Sequence, residues 1–362
     1  MNLRIPGPIP VPDDILDAMS GPMINHRGPE FKEILYRVTD GLKKVFNTRN
    51  DVYVLTSSGT GAMEAAIVNT LSPGDKVLNA TVGVFGNRFG EIAGLYGAEV
   101  INLTFPFGDA IDLDKVRETL KKNRDVKAVM VTHNETSTGV TNDLKSISRL
   151  VKDEFNKLVL VDGISSVCSI PLSTDNWGCD VVASASQKGW MLPPGLAFVS
   201  FSDSAWEAYR TARMPKFYFD VEMYRRYYEI GQPPYTPSIS TVLALDIALD
   251  KIMSEGLGSV YERHASIGAM TRRGIKDIGL TIFPKDEVAS NTVTAVNIPE
   301  GVNGNLLIKA MKDDHGVVLA GGQQSLNGKI FRIGHMGYCT EEDMNEVFDA
   351  LRSTLSGLGF TF

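Results

Sequence analysis

The sequence contains little cysteine, and the few cysteines show no pattern. Cys168, Cys179 and Cys339 are odd in number and lack a CxxC spacing. This argues against a disulfide framework and against a zinc site, for which paired cysteines are typical. We therefore expect no metal, three buried thiols that act as small apolar side chains, and a reducing cytoplasmic compartment.

The chain also lacks an excess of positive charge and any long apolar run. Lysine and arginine number 36 against 43 acidic residues, a net charge of -7, whereas a nucleic acid or an anionic membrane would select a basic face. The start, MNLRIPGPIPVPDDI, is broken by four prolines and has no continuous apolar core of a signal peptide. No apolar stretch approaches the length of a membrane span. These observations predict no nucleic-acid partner, no membrane partner and a cytoplasmic location.

What the chain does contain is an alternation of apolar strands and amphipathic helices. After a Pro- and Gly-rich extended segment over residues 1–30, helices are predicted at 31–46, 113–122 and 144–155. Strands are predicted at 51–55, 76–80, 98–105, 126–133, 158–162, 180–186 and 196–201. This alternation is typical of an α/β domain with a mostly parallel sheet covered on both faces.

The last third of the chain has a different pattern. A helical region runs from about residue 238 to 275 with a break at Gly256 and Gly258, and strands follow at 292–298, 317–322 and 329–334 before a helix over 341–355. This predicts a smaller α+β domain. We assign residues 1–20 to an N-terminal arm, 21–250 to a large domain and 251–362 to the small domain.

Ligands of such sheets bind beyond the carboxyl ends of the strands, where this sequence places small and polar residues. The first strand ends in Ser57-Ser58-Gly59-Thr60-Gly61 and opens a helix. Free N–H groups at a helix start can hold a phosphate, although a plain Ser/Thr helix cap is the commoner use of such residues.

Other strand ends deliver His133, Asp162 and, after DVVASAS, Gln187 and Lys188. Taken singly, Asp162 and His133 are typical of local hydrogen bonding. Together, a phosphate cradle, an acid, an imidazole and a lysine at one sheet edge suit pyridoxal phosphate. Its aldehyde forms a Schiff base with lysine, and its ring nitrogen works best protonated beside a carboxylate.

Over nearly its full length the chain resembles the class V aminotransferases of fold type I, in particular the serine/alanine–pyruvate/glyoxylate aminotransferases. The resemblance depends on PGP near the start, TSSGTGAMEAAIVN, VGVFGNRFGEIA, THNETSTGV, LVDGISSV, SASQKGWMLPPGLAFVSFS, YTPSIS and FRIGHMG, in that order. It implies a large domain with a mostly parallel sheet, a smaller C-terminal domain and bound pyridoxal 5'-phosphate.

The resemblance also implies roles for individual residues. Lys188 is similar to the catalytic Schiff-base lysine, Asp162 to the partner of the pyridine nitrogen and Phe85 to the aromatic that stacks on the ring, where many relatives have Trp or Tyr. The positions that match the phosphate pocket are Ser58, Gly59, Thr60 (His in some relatives) and Gln187. Ser137 is similar to the serine near the cofactor's phenolic oxygen. Thr236 and Tyr235 are similar to residues that reach the partner subunit's cofactor. The family tyrosine usually lies a few residues before Tyr235, at the place of Pro233.

For the substrate, the resemblance assigns Arg332 to the carboxylate, because a guanidinium binds a carboxylate through two parallel hydrogen bonds. From the sequence alone, Arg332 could equally lie on an exposed strand face. Gly7 and His26 match the part of the family's arm that lines the substrate pocket. His264 and His315 are expected at the surface or at helix caps.

The implied activity is transfer of an amino group from alanine or serine to glyoxylate or pyruvate by a ping-pong mechanism, in a homodimer that shares its active sites. Three alternatives remain from the sequence: a cysteine desulfurase-like enzyme, an aminotransferase of phosphonate or phosphoserine substrates with Arg27 and Arg88 as extra cations, and an auxiliary subunit of a soluble hydrogenase.

Overall fold

The structure, a computed structural model, describes residues 1–361. Its strands are β1 (Asn2–Leu3), β2 (Val52–Leu55), β3 (Lys76–Thr81), β4 (Glu99–Thr104), β5 (Ala128–Thr132), β6 (Asn134–Glu135), β7 (Val140–Thr141), β8 (Leu158–Asp162), β9 (Val181–Ala185), β10 (Ala197–Phe201), β11 (Val293–Asn297), β12 (Val317–Val318), β13 (Ala320–Gly321) and β14 (Ile330–Gly334).

The α-helices cover both faces of the larger sheet and form most of the C-terminal part. They are α1 (Asp13–Met19), α2 (Pro29–Phe46), α3 (Gly59–Thr70), α4 (Val84–Leu95), α5 (Leu113–Lys122), α6 (Leu144–Arg149), α7 (Thr174–Trp177), α8 (Asp203–Thr211), α9 (Val221–Glu229), α10 (Ile239–Glu255), α11 (Leu257–Asp277), α12 (Gly304–His315) and α13 (Glu341–Gly357). Within the described residues, no helix is both long and apolar enough to cross a membrane.

The large sheet has seven strands in the order β2-β10-β9-β8-β5-β3-β4. Only β10 runs against its neighbours, and the β9-β8-β5-β3-β4 pairs are all parallel. Strands β5, β8, β9 and β10 are buried along nearly their whole length, as expected of strands with helices on both faces. The predicted fold class, an α/β domain with a mostly parallel sheet, is confirmed.

The C-terminal part packs α11, α12 and α13 against a three-stranded antiparallel sheet in the order β11-β14-β13. The helical break falls at Gly256, whose positive φ of 83° few other residues adopt. Gly258 lies inside α11 and does not interrupt it.

Two predicted elements differ from the structure. The extended segment over 1–30 contains α1, because none of its prolines lies within the helix: four precede Asp13 and the others follow Met19, so they remove none of the helix's hydrogen bonds. The predicted strand 317–322 is two short strands in different sheets, since β12 pairs with β1 while β13 pairs with β14.

Candidate functional site

A cavity of about 260 Å³ lies at the carboxyl edge of the large sheet. It is lined by Gly7, Ser58, Gly59, Thr60, Met63, Phe85, Arg88, Asn134, Thr136, Asp162, Ile164, Ser165, Gln187, Lys188 and Gln323. The chain reaches this edge after β2, β3, β5, β8 and β9 in turn, so residues far apart in sequence meet there. The cavity therefore lies beyond the strand ends, where the sequence led us to expect a ligand.

One wall is the start of α3. Its N-cap residue Ser58 makes no side-chain cap hydrogen bond, and the first N–H groups of a helix have no intrahelical acceptor. A Cβ on Gly59 would lie 2.6 Å from Ile164 Cδ1 and 3.1 Å from Ala185 Cβ, so a larger residue would have to displace the Ile164 side chain. The cap interpretation is not what the side chain does here, and the free N–H groups can hold an anion.

Gln187 adds a polar side chain to the same cavity. Its Oε1 atom is buried and has no hydrogen-bond partner within the described residues. A buried amide without a partner is costly, so this side chain is suited to bind a polar ligand.

Asp162 ends β8 and is buried. Its Oδ1 accepts a hydrogen bond from the Ile164 N–H at 3.0 Å, and its Oδ2 accepts one from the Thr132 hydroxyl at 3.3 Å. Burial raises the pKa of Asp162 to about 6, while these hydrogen bonds and the positive charge of Lys188 act to lower it. The carboxylate is thus oriented by the protein and is ready to gain stability from a cation in the cavity.

Lys188 is 9% exposed, and its ammonium donates a hydrogen bond to the backbone carbonyl of Pro6. Burial lowers the pKa of Lys188 to about 8; Asp162 opposes that shift, and Arg332 and Arg88 add to it. A buried amine that is easily neutralised is the form required of a nucleophile or base.

The N-terminal arm forms the wall that faces Lys188. Gly7 has a φ of 109°, and a Cβ there would lie 2.5 Å from Lys188 Nζ. The arm is held in place by the β1–β12 pairing, by an ion pair of 2.8 Å between Arg4 and Asp343, and by the Gly334 N–H, which donates to the Arg4 carbonyl. Backbone atoms of the arm therefore contact the lysine directly.

Phe85 lies in the first turn of α4, and Glu135 binds the backbone of that turn. The buried Glu135 carboxylate accepts hydrogen bonds from the N–H groups of Phe85 and Gly86, both at 3.0 Å, and from the Ser137 hydroxyl at 2.6 Å. A carboxylate at a helix N-terminus is favourable, although burial raises the pKa of Glu135. Glu135 thus fixes the position of the Phe85 ring in the cavity wall.

Arg332 lies within β14 and is buried, so the exposed-strand interpretation is wrong. Its guanidinium donates to the Gly321 carbonyl through Nε and Nη2 and to the Thr136 carbonyl through Nη1. Three of its five N–H groups are used in this way. Burial lowers the pKa of Arg332 to about 10, and Glu135 opposes that shift.

Several predicted site residues, Arg332 among them, do not line the cavity of this chain. Ser137 is bound to Glu135 and the Val84 N–H, Tyr235 donates to the Phe217 carbonyl and stacks on Tyr218, Thr236 is exposed, and His26 is half-buried. Their predicted roles remain predictions.

The histidines differ from expectation in two places. His133 does not join the cavity but packs edge-on against Trp177, and burial lowers its pKa to about 4. His264, expected at the surface, is buried on α11, where its Nδ1 lies 2.7 Å from the Val260 carbonyl and its Nε2 accepts from the Gly337 N–H. His315 ends α12 and is exposed, as predicted.

Apart from Arg88, the remaining cavity residues were not predicted from the sequence. Asn134 and Thr136 flank Glu135 in a segment whose polar composition follows β5, which is a readable signal. Gln323 comes from the small C-terminal part, and nothing in its local sequence indicates that it faces the large sheet. Gly189, beside the lysine, faces Ser169 and the Cys168 backbone rather than the cavity.

The residues present fit pyridoxal phosphate. A helix start with free N–H groups suits a phosphate, to which the Nε2 group of Gln187 can also donate. Asp162 suits a protonated ring nitrogen, and Lys188 suits an aldehyde. Among residues 1–361 there is no cluster of three or more potential metal ligands.

Comparisons with known proteins identify the family. The family profile described as Aminotransferase class-V matches residues 16–347. The chain is 43% identical to a Synechococcus protein named "Soluble hydrogenase, small subunit", with 99% of this chain and 94% of that protein covered. It is 38% identical to the L-aspartate–glyoxylate aminotransferase of Paracoccus denitrificans, with 93% and 86% covered.

Solved structures give the same result. The crystal structure of an alanine–glyoxylate aminotransferase from Nostoc sp. superposes with a TM-score of 0.94 at 32% identity, covering 98% of this chain and 95% of that one.

Proposed function

The chain belongs to the class V aminotransferase family and is a pyridoxal-phosphate-dependent aminotransferase, and on that premise we propose that it moves an amino group from alanine or serine to glyoxylate or pyruvate. The observation that carries the proposal is one cavity that contains both a buried lysine and a buried aspartate, Lys188 and Asp162. Two relatives named above carry glyoxylate in their names, which supports glyoxylate as the acceptor.

The chain's own residues would hold the cofactor as follows. Gly59, Thr60 and Gln187 would hold the phosphate, and Asp162 would keep a proton on the ring nitrogen. Phe85 would cover one face of the ring with an apolar surface. When bound, the cofactor supplies an aldehyde for an amine and a ring that withdraws electrons.

Lys188 then has two tasks. It would carry the cofactor between turnovers, and once an incoming amine releases it, its Nζ would accept the proton that leaves the α-carbon of the amino acid. The lowered pKa near 8 keeps a substantial neutral fraction at neutral to mildly alkaline pH. The Pro6 carbonyl gives the freed ammonium a fixed acceptor, which keeps Nζ in the cavity.

Arg332 would orient the substrate carboxylate. Its bonds to Gly321 and Thr136 leave two N–H groups, and Thr136 itself lines the cavity. Because the guanidinium is fixed by backbone carbonyls, little side-chain entropy remains to be lost when a carboxylate binds.

A half-reaction panel tests the proposed function. We expect the purified, cofactor-loaded protein to be yellow and to lose its absorbance near the visible edge when mixed with alanine or serine, because each amino acid passes its nitrogen to the enzyme. Glyoxylate or pyruvate should restore the absorbance. Failure of all amino acids to change the spectrum would contradict an aminotransferase function.

We further infer a homodimer with shared active sites. Thr236 is exposed and does not line the cavity of its own chain, while Tyr235 lies in a cluster with Tyr218 and the exposed Phe217. These features suit contact with the partner subunit's cofactor. Sedimentation velocity should show a dimer at assay concentrations, and a monomer with full activity would contradict this inference.

Two of the three alternatives receive less support. All three cysteines are buried, and burial raises the pKa of Cys339 to about 11, so no described thiol resembles a mobile nucleophile. The name of the Synechococcus relative does not favour a purely auxiliary role for this chain, because Lys188, Asp162 and Arg332 are all present and buried together.

A further inference from the structure

Arg88 is a cavity-lining cation to which the proposed mechanism gives no task. It lies on α4, three residues after Phe85, and its guanidinium carbon is 5.0 Å from the centroid of the Phe85 ring. Within residues 1–361 it has no hydrogen-bond or ion-pair partner. All five of its N–H groups are therefore available to a ligand.

The other arginine near the cavity, by contrast, does have hydrogen-bond partners. Arg332 is bound to two backbone carbonyls and does not itself line the cavity. Arg88 keeps its direction through the aromatic ring rather than through polar bonds, because a planar guanidinium stacks well on such a face. Its donors are thus positioned by Phe85 but remain unused.

The acidic groups near the cavity do not neutralise Arg88. Glu135 is occupied by the N–H groups of Phe85 and Gly86, and Asp162 is occupied by Ile164 and Thr132. Neither carboxylate lies within ion-pair distance of Arg88 in the described residues. An anionic ligand is the group that would complete this arrangement, since an unpaired guanidinium in a recess gains a charge-assisted hydrogen bond from it.

We propose that Arg88 binds a second anionic group, a carboxylate or a phosphonate on the side chain of the amino donor, while Arg332 binds the α-carboxylate. The inference depends on the proposed aminotransferase function and extends its donors beyond alanine and serine: dianionic amino acids of the aspartate type, the donor in the name of the Paracoccus relative, are used more efficiently than alanine. The two arginines would then act as separate anion subsites, which discriminate donors by the charge of the side chain rather than by size alone.

Binding to the cofactor-loaded enzyme tests this without turnover. We compare propionate, succinate and 3-phosphonopropionate by calorimetry, because they carry one carboxylate, two carboxylates, and one carboxylate with a phosphonate. In the native enzyme the dianions should bind about 10- to 100-fold more tightly than propionate, as one charge-assisted pair provides. The better of the two dianions identifies the chemistry of the second group.

Three variants separate the explanations. Arg88→Gln keeps a planar group near Phe85 and should abolish the preference for dianions while leaving propionate binding within about threefold. Arg88→Lys should retain part of the preference. Arg273→Gln, which removes an equal charge from an exposed position on α11, is the matched control and should change nothing.

The kinetic arm uses aspartate, phosphoserine and alanine in the half-reaction. Arg88→Gln should lower kcat/KM for the dianionic donor about 10- to 100-fold and for alanine less than about threefold. Equal losses for alanine and the dianion, weaker binding of the cofactor itself, or no preference in the native enzyme would each overturn the inference. Failure of every donor, alanine included, would instead overturn the proposed function.

Discussion

Replacement of Lys188 by alanine is expected to lower kcat by about 10⁴-fold, the upper end of what a positioned base contributes. The cavity offers no substitute amine, because no other lysine lines it and Asp162 faces local donors. Single-turnover spectra with alanine would measure the loss directly. Small primary amines in the buffer should restore part of the rate, since the vacated space lies beside the Pro6 carbonyl.

A matched control is Lys285→Ala, which removes an exposed lysine that is paired with Asp109 and does not line the cavity. It should retain native rates. Borohydride reduction of the native holoenzyme followed by peptide mapping should place the cofactor on Lys188, and an adduct at another lysine would refute the mechanism.

Replacement of Asp162 by asparagine is expected to lower kcat by about 10²- to 10³-fold, because an amide cannot stabilise a positive charge on the ring nitrogen as a carboxylate does. Asparagine retains the shape and one acceptor for the Ile164 N–H, so the fold should persist. Asp162→Glu, which keeps the charge, should recover part of the activity. A variant that loses folding and activity together would show a structural role only.

The raised pKa of Asp162 also predicts that the stability of the cofactor-free protein depends on pH. Its pKa is raised in the fold from 3.8 to about 6, chiefly by burial, so the folded state binds more protons than the unfolded chain between these values. The contribution of Asp162 to the free energy of unfolding is fully present below about pH 4. It is lost as the pH rises through 6, and the loss is at most about 3 kcal/mol. Asp162→Asn should remove this component from the difference in unfolding free energy between pH 4 and pH 7, as measured by urea titration.

The sequence was sufficient for much of the fold because the strands are short apolar runs with polar ends. Strand β8, predicted at 158–162, has those bounds in the structure. A strand that is buried on both faces is apolar along its length, so it shows no polar–apolar alternation that could be misinterpreted. The residue at its end is polar because it faces the cavity. Asp162 and Lys188 were predicted as cavity residues by the same reasoning, because both are polar residues at the end of an apolar strand.

The remainder of the site depends on contacts that residue types do not encode. The Pro6 carbonyl contacts Lys188 through a backbone atom, which any residue would present. From the sequence alone, Glu135 is one more polar residue in a turn. Its role depends on the hydrogen bonds that it accepts from the start of α4, fifty positions earlier in the chain. Gln323 and the backbone partners of Arg332 follow from how the small part packs on the large one.

Charged helices misled the sequence analysis at His264. The residues around it are polar, but α11 turns the histidine toward the buried Gly337 N–H, which needs an acceptor. Local composition describes a helix as a whole, whereas burial depends on which face meets a neighbour.

The pairing of β1 with β12 has a consequence for protein synthesis. Asn2, Leu3 and Arg4 leave the ribosome long before their partners Val317, Val318 and Asp343 are made. Large domains generally fold as they emerge, so the sheet can form while the arm is still unattached. The wall over Lys188 can close only after residues 317–343 have been made, and a nascent or prematurely terminated chain that lacks them would therefore hold an open, incomplete cavity.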